Sequence, residues 1–97
     1  MNQNEKIDAA TAARELTLAL LFLNRFREKV GQTSLWRAWK GFDFAMLDKL
    51  EEAGLISSSR TAKSVYLTDE GLAEARHLLD KFGIADWKKM EEKEMTK

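Results

Sequence analysis

Residues 25–56 read RFREKVGQTSLWRAWKGFDFAMLDKLEEAGLI, and Gly31, Gly41 and Gly54 each close one segment of the run. Taken at 100° per residue, Phe26 and Val30 prolong a stripe of Leu16, Ala19, Leu20 and Leu23. A first helix is therefore expected from a cap at Asp8 or Thr11 to about Lys29, stopped by Gly31 in a left-handed conformation. Thr33 or Ser34 then caps a short second helix, Leu35 to Lys40, stopped by Gly41. Asp43 caps a third, Phe44 to Ala53, with Leu47, Leu50 and Met46 facing inward and Gly54 as its stop.

Working outward, Leu55 to Ser58 and Lys63 to Leu67 read as two strands of a hairpin with Ser59 to Ala62 at its tip. Val65 and Leu67 alternate with Ser64 and Tyr66, as a half-buried strand requires. The tip holds no Asn-Gly or Asp-Gly pair, so a tight primed turn is not expected. Thr68 caps the next helix, with Asp69 and Glu70 where the helix dipole favours acids and Leu72, Ala75, Leu79 and Phe82 as its stripe. Gly83 interrupts it, and Asp86 caps a last helix carrying Trp87 and Met90. Fraying is expected over residues 1–6 and 92–97. The fold class is mostly α with a small β-hairpin, in the order α-α-α-β-β-α with a C-terminal helical tail, and residues 1–97 form one domain.

The first helix is apolar on two sides. Leu18, Leu21 and Phe22 lie opposite the Leu16–Leu20 stripe. A helix apolar on two faces needs two things to pack against. The second face is assigned to the last helix or to a second subunit. A homodimer interface of Leu18, Leu21, Phe22, Trp87 and Met90 is accordingly expected.

Composition narrows the function classes. The chain has 97 residues, 44% apolar and 33% charged, with 16 basic and 16 acidic residues in balance. Zero net charge gives no global pull towards nucleic acid or anionic lipid. With no cysteine, thiolate chemistry, disulfides and Cys-ligated zinc are excluded. The apolar run Leu18 to Leu23 is too short to span a bilayer, and Asn24, Arg25 and Arg27 follow where a signal-peptide cleavage site would need small residues. No membrane association and a cytoplasmic location are expected. His77 is the single histidine and reads as a surface residue, so no metal site is expected. The run Ser57-Ser58-Ser59 has no base beside it, and no glycine-rich phosphate loop occurs. Neither an enzyme activity nor a cofactor is expected.

The stretch MLDKLEEAGLISSSRTAKSVYLTDEGLAEARHLL resembles winged helix-turn-helix regulators of the multiple-antibiotic-resistance and phenolic-acid-repressor types. Leu47, Leu50, Glu51, Gly54, Leu55, Ile56, Leu67, Thr68 and Gly71 match their pattern of helix, wing and Leu-Thr-x-x-Gly. The resemblance covers about a third of the chain and implies a winged helix whose third helix enters the DNA major groove. The stretches ALLFLNRF and RAWKGFD are also similar to a family of small uncharacterised bacterial proteins, a resemblance that implies no activity.

Against DNA reading stands the charge of that third helix. Residues 42–54 carry Asp43, Asp48, Glu51 and Glu52 against Lys49 alone. Base readout calls for Arg, Lys, Asn or Gln, and carboxylates repel phosphates; the acids otherwise make a solvated face. Arg37 and Lys40 before the helix and Arg60 and Lys63 on the wing form the candidate nucleic-acid-binding set, gripping phosphates, with solubility as their plainer role. Trp36 and Trp39 are expected in the core with one ring partly exposed. Two functions remain: a small DNA-binding transcriptional regulator acting on double-stranded DNA, or a winged helix that binds another protein and no DNA.

Overall fold

A computed structural model describes residues 8–88. The elements are α1 (Ala9–Leu23), β1 (Phe26–Val30), β2 (Thr33–Trp39), α2 (Phe44–Glu52), β3 (Ile56–Ser57), β4 (Ser64–Leu67) and α3 (Asp69–Lys81). The strands form one antiparallel sheet in the order β1-β2-β4-β3. The order α-β-β-α-β-β-α replaces the expected α-α-α-β-β-α, and the described residues contain no helix-turn-helix. The winged-helix expectation is thereby overturned.

The error lies between Asn24 and Lys40. Helix α1 begins as expected, with Asp8 accepting a hydrogen bond from the Thr11 amide at 2.7 Å. It ends at Leu23, six residues short of Lys29. Asn24 turns its side-chain amide back onto the Leu20 carbonyl at 2.9 Å, which closes the last turn. From there Phe-Arg-Glu-Lys-Val alternates in character and runs as a strand, paired from Phe26↔Arg37 to Val30↔Thr33. The two-residue loop is Gly31-Gln32. Gly31 has φ +64°, and among the described residues no non-glycine residue has positive φ, so the glycine takes the first central position of a type II′ turn. The expected helix Leu35 to Lys40 is strand β2.

The second half follows the sequence reading. Helix α2 spans nine residues, with Leu47 and Leu50 buried. Gly54 sits at φ +79°, donating to the Glu51 carbonyl at 2.9 Å while Leu55 donates to Leu50 at 3.0 Å, the paired closure of a Schellman cap. Ile56↔Leu67 and Ser57↔Tyr66 form the expected hairpin. The Thr68 hydroxyl accepts from the Gly71 amide at 2.9 Å and donates to the Gly54 carbonyl at 2.7 Å, so one side chain caps α3 and ties it to the end of α2.

Gly71 of the Leu-Thr-x-x-Gly pattern has a packing reason. A β-carbon built there would overlap the Leu55 carbonyl oxygen. Only glycine lets α3 lie this close to the chain entering β3.

Alternation divides the sheet into two faces. Trp36, Ala38, Val65, Leu67 and Ile56 share the inner face, against which the helices pack. Phe22, Leu18, Leu21, Leu50, Leu78, Leu79 and Val65 are the largest fully buried side chains. The two faces of α1 are thus the reverse of the sequence expectation. Leu18, Leu21 and Phe22 enter the core, while Leu16 and Leu20 are 50% and 45% exposed. Trp87 closes over Phe22 edge-on at 5.9 Å within the same chain. The expected dimer surface of Leu18, Leu21, Phe22 and Trp87 is therefore spent inside one chain; Met90 lies outside the described residues.

Candidate interaction surface

The outer face of the sheet carries Phe26, Glu28 and Val30 from β1, Leu35, Arg37 and Trp39 from β2, Ser64 and Tyr66 from β4, and Ser57 from β3. Their shared side follows from the register Phe26↔Arg37, Glu28↔Leu35, Arg37↔Tyr66 and Trp39↔Ser64. No helix among the described residues covers this face at Trp39, which is 62% exposed. Its ring stacks on Phe26 at 4.7 Å and 29° between planes. Val30 and Leu35 are exposed nearer the hairpin tip. An aromatic pair with aliphatic neighbours on an open strand surface is apolar area that water does not favour.

One charged cluster fixes the middle of the face. The Arg37 guanidinium donates to Glu28 at 2.9 Å and to the Tyr66 hydroxyl at 3.1 Å, and its plane lies 4.2 Å from the centre of the Tyr66 ring. The Tyr66 hydroxyl in turn donates to the same Glu28 oxygen at 3.1 Å. The Arg37 hydrogen bond holds the Glu28 carboxyl below its ordinary pKa, against partial desolvation and with help from Tyr66. Three strands are joined by three side chains, and Arg37 has no charge left over for a phosphate.

The other members of the candidate nucleic-acid set are dispersed. The Lys40 ammonium donates to the Ser59 carbonyl at 2.6 Å, and its backbone amide donates to Lys63 at 2.9 Å, extending the β2–β4 pair. Arg60 and Lys63 are exposed in the loop joining β3 to β4. Lys40 and Arg60 line a groove of about 390 Å³ together with Phe44, Asp48, Glu51 and Ser58. Two carboxylates facing two cations neutralise the groove instead of making it a phosphate trap. Glu51 has a structural use: it accepts from the Ser58 amide and hydroxyl at 3.4 and 3.3 Å, holding the loop to α2.

Another groove, of about 290 Å³ and apolar in its lining, opens where α1 passes the end of β2. Leu20, Leu21, Asn24, Ala38, Trp39, Gly41 and Phe42 line it. Trp39 belongs to both features, so the apolar surface runs from the outer sheet face round the end of β2 to the outward side of α1.

The sequence reading named Arg37 and both tryptophans but missed Phe26, Glu28 and Tyr66 as their partners. The available signal was Gly31-Gln32 between Val30 and Thr33, a two-residue loop with glycine first, flanked by aromatic and β-branched residues. Among the described residues no cluster of three His, Cys, Asp or Glu stands ready to hold a metal ion. Nor, among them, is any helix long and apolar enough to cross a membrane.

Comparison with known proteins adds kinship without activity. Residues 4–85 match the family described as Domain of unknown function (DUF6429). The "Uncharacterized protein y4hR" of Sinorhizobium fredii (strain NBRC 101917 / NGR234) is 43% identical over 75 residues, 76% of this chain and 84% of that one. Neither match is to a winged-helix regulator. No solved structure matches the chain. The chain belongs to the DUF6429 family.

Proposed function

We propose that this protein is a protein-interaction module that presents the outer face of its sheet to a polypeptide partner. The carrying observation is the exposure of Trp39, stacked on Phe26 beside exposed Val30 and Leu35, around an arginine already neutralised by Glu28. Protein-binding surfaces are enriched in aromatics and arginine and depleted of unpaired charge at their centre. A DNA-binding surface has the opposite character, being strongly basic and rich in free cations. Here Arg37 is ion-paired, Lys40 is bonded to a carbonyl, and Asp48 and Glu51 of α2 share a groove with Arg60.

The test places a photo-reactive phenylalanine analogue at position 35 in cells producing the full chain. The reading expects a cross-link to a defined polypeptide, lost with Trp39→Glu and kept with Arg60→Glu/Lys63→Glu. Circular dichroism of each variant checks that the fold is retained. The rival reading is duplex DNA binding. Fluorescence anisotropy showing tight binding at physiological salt, lost with Arg60→Glu/Lys63→Glu and kept with Trp39→Glu, would overturn the proposal in favour of a regulator.

A further inference from the structure

The outward side of α1 has a regular pattern that the sheet-face reading does not use. Ala9, Ala13, Leu16 and Leu20 follow one another at steps of four, three and four, with Leu23 three further on. At 100° per residue all five fall within about 40° of one line. Ala9, Ala13, Leu16 and Leu20 are exposed, and Leu23 is partly so. This is the a/d spacing of a helix-pairing seam. It points directly away from Leu18 in the core.

The seam is also uncharged in a protein that is one-third charged. The two charged residues within α1, Arg14 and Glu15, lie more than about 100° from the line, and Glu15 is held back by Lys81 at 3.5 Å. The flanks are Ala12 and Ala19 on one side and Ala10 and Thr17 on the other. A charged or strongly polar partner would find nothing to answer it here.

We infer that this seam receives α1 of a second copy, running antiparallel about a two-fold axis. The size pattern selects both the occupant and the direction. Small residues fill the N-terminal half of the seam and leucines the C-terminal half. Antiparallel pairing sets Ala9 against Leu20 of the partner subunit and Ala13 against Leu16 of the partner subunit, so large meets small at each of these four positions. Parallel pairing would set leucine on leucine at one end and alanine on alanine at the other, wedging the helices apart. A two-fold contact is self-complementary by construction, which is what a seam with complementary halves provides. The antiparallel arrangement also opposes the helix dipoles favourably.

The groove supports the same register. It lies at the Leu20 end of α1, lined by Leu20, Trp39 and Phe42. In the antiparallel pair this is where the partner's alanine-rich helix start arrives, and its small side chains permit the closest approach. Zero net charge means that two copies do not repel one another overall. The contact meets the outer sheet face only at Trp39, and Leu16 and Leu20, which carry its test, lie on the helix, so its outcome is read apart from whether that face binds a partner.

Sedimentation velocity of the full chain should give about twice the 11.1 kDa chain mass at micromolar concentration. Leu16→Glu and Leu20→Glu should give monomers with an unchanged circular dichroism spectrum, because both side chains are half exposed in one chain. Direction is read separately. The chain has no cysteine, so Ala9→Cys and Leu20→Cys each add a single thiol. In an antiparallel pair like positions stand about 16 Å apart along the axis at 1.5 Å per residue. Oxidising an equimolar mixture should therefore give the mixed Ala9→Cys/Leu20→Cys disulfide, with neither variant forming its own. A monomer at every concentration, a dimer unaffected by both glutamates, or disulfides between like variants would each overturn the inference.

Discussion

Phe26 and Trp39 stack at 4.7 Å on the outer face of the sheet, although thirteen positions separate them in the chain. They are diagonal neighbours across the β1–β2 pair, since Phe26 stands opposite Arg37 and Trp39 follows two residues on. This contact exists only because the chain turns back at Gly31. It converts what would have been a buried helical stripe into an exposed aromatic platform. On the same face Arg37 donates hydrogen bonds to Glu28 and Tyr66.

The reversal of α1 gives the first prediction. Leu21 is 1% exposed and Leu20 is 45% exposed, though they adjoin in sequence. Leu21→Ala should cost about 2–5 kcal/mol, the range for emptying a core leucine site. Leu20→Ala should cost well under half as much in the monomer. Urea unfolding of the two variants at low protein concentration distinguishes them, and equal losses would mean that the helix faces are wrongly placed.

The two faces of α1 were legible as a pair, but not which one was inward. Both are apolar at helical spacing, and a pattern alone carries no sign. Residues 26–39 failed for a related reason. Phe26 and Val30 are four apart, and four is both one helical turn and an even number, so they share a face in either structure. Trp36 and Trp39, three apart, share a helix face but take opposite strand faces. Trp36 looks inward beneath Arg25, whose guanidinium lies 4.6 Å from its ring, and Trp39 looks out. By contrast the half from Phe44 to Lys81 was readable because its boundaries carry their own chemistry: Gly54 with positive φ, Thr68 as a cap, and polar and apolar residues in turn along Ser64–Leu67. Asp43 stands at the cap position of α2 without a side-chain cap hydrogen bond.

Gly71 and Gly54 should respond differently to alanine. At Gly71 the added methyl meets the Leu55 backbone, so Gly71→Ala forces α3 away from β3 and should cost about 1–3 kcal/mol, as overpacking does, or more. At Gly54 there is open space and only the positive φ resists, a cost of roughly 1–2 kcal/mol. Hydrogen exchange should separate the causes. Gly71→Ala should expose the Thr68 and Leu72 amides, whereas Gly54→Ala should act at the end of α2 alone.

The Glu28–Arg37–Tyr66 cluster predicts a pH dependence with a defined sign. Arg37 lowers the folded Glu28 pKa from its ordinary value of 4.5. The carboxylate therefore contributes its full stabilisation above that ordinary value, and the contribution falls away as pH drops through the lowered folded one. Wild type should exceed Glu28→Gln in melting temperature at neutral pH. The gap should begin to narrow near pH 4.5 and close below the lowered folded value. A constant gap across that window would show that Glu28 does not act as a paired carboxylate.

Residues 26–39 form an antiparallel hairpin where the sequence suggested two helices. Two-dimensional nuclear Overhauser spectroscopy on the labelled chain measures it most directly. Cross-peaks are expected between the Phe26 and Trp39 rings, with cross-strand backbone contacts in the register Arg27↔Trp36 and Lys29↔Ser34. Sequential amide–amide contacts with i to i+3 peaks through Leu35 to Trp39, and no Phe26–Trp39 contact, would contradict it and restore the helical reading.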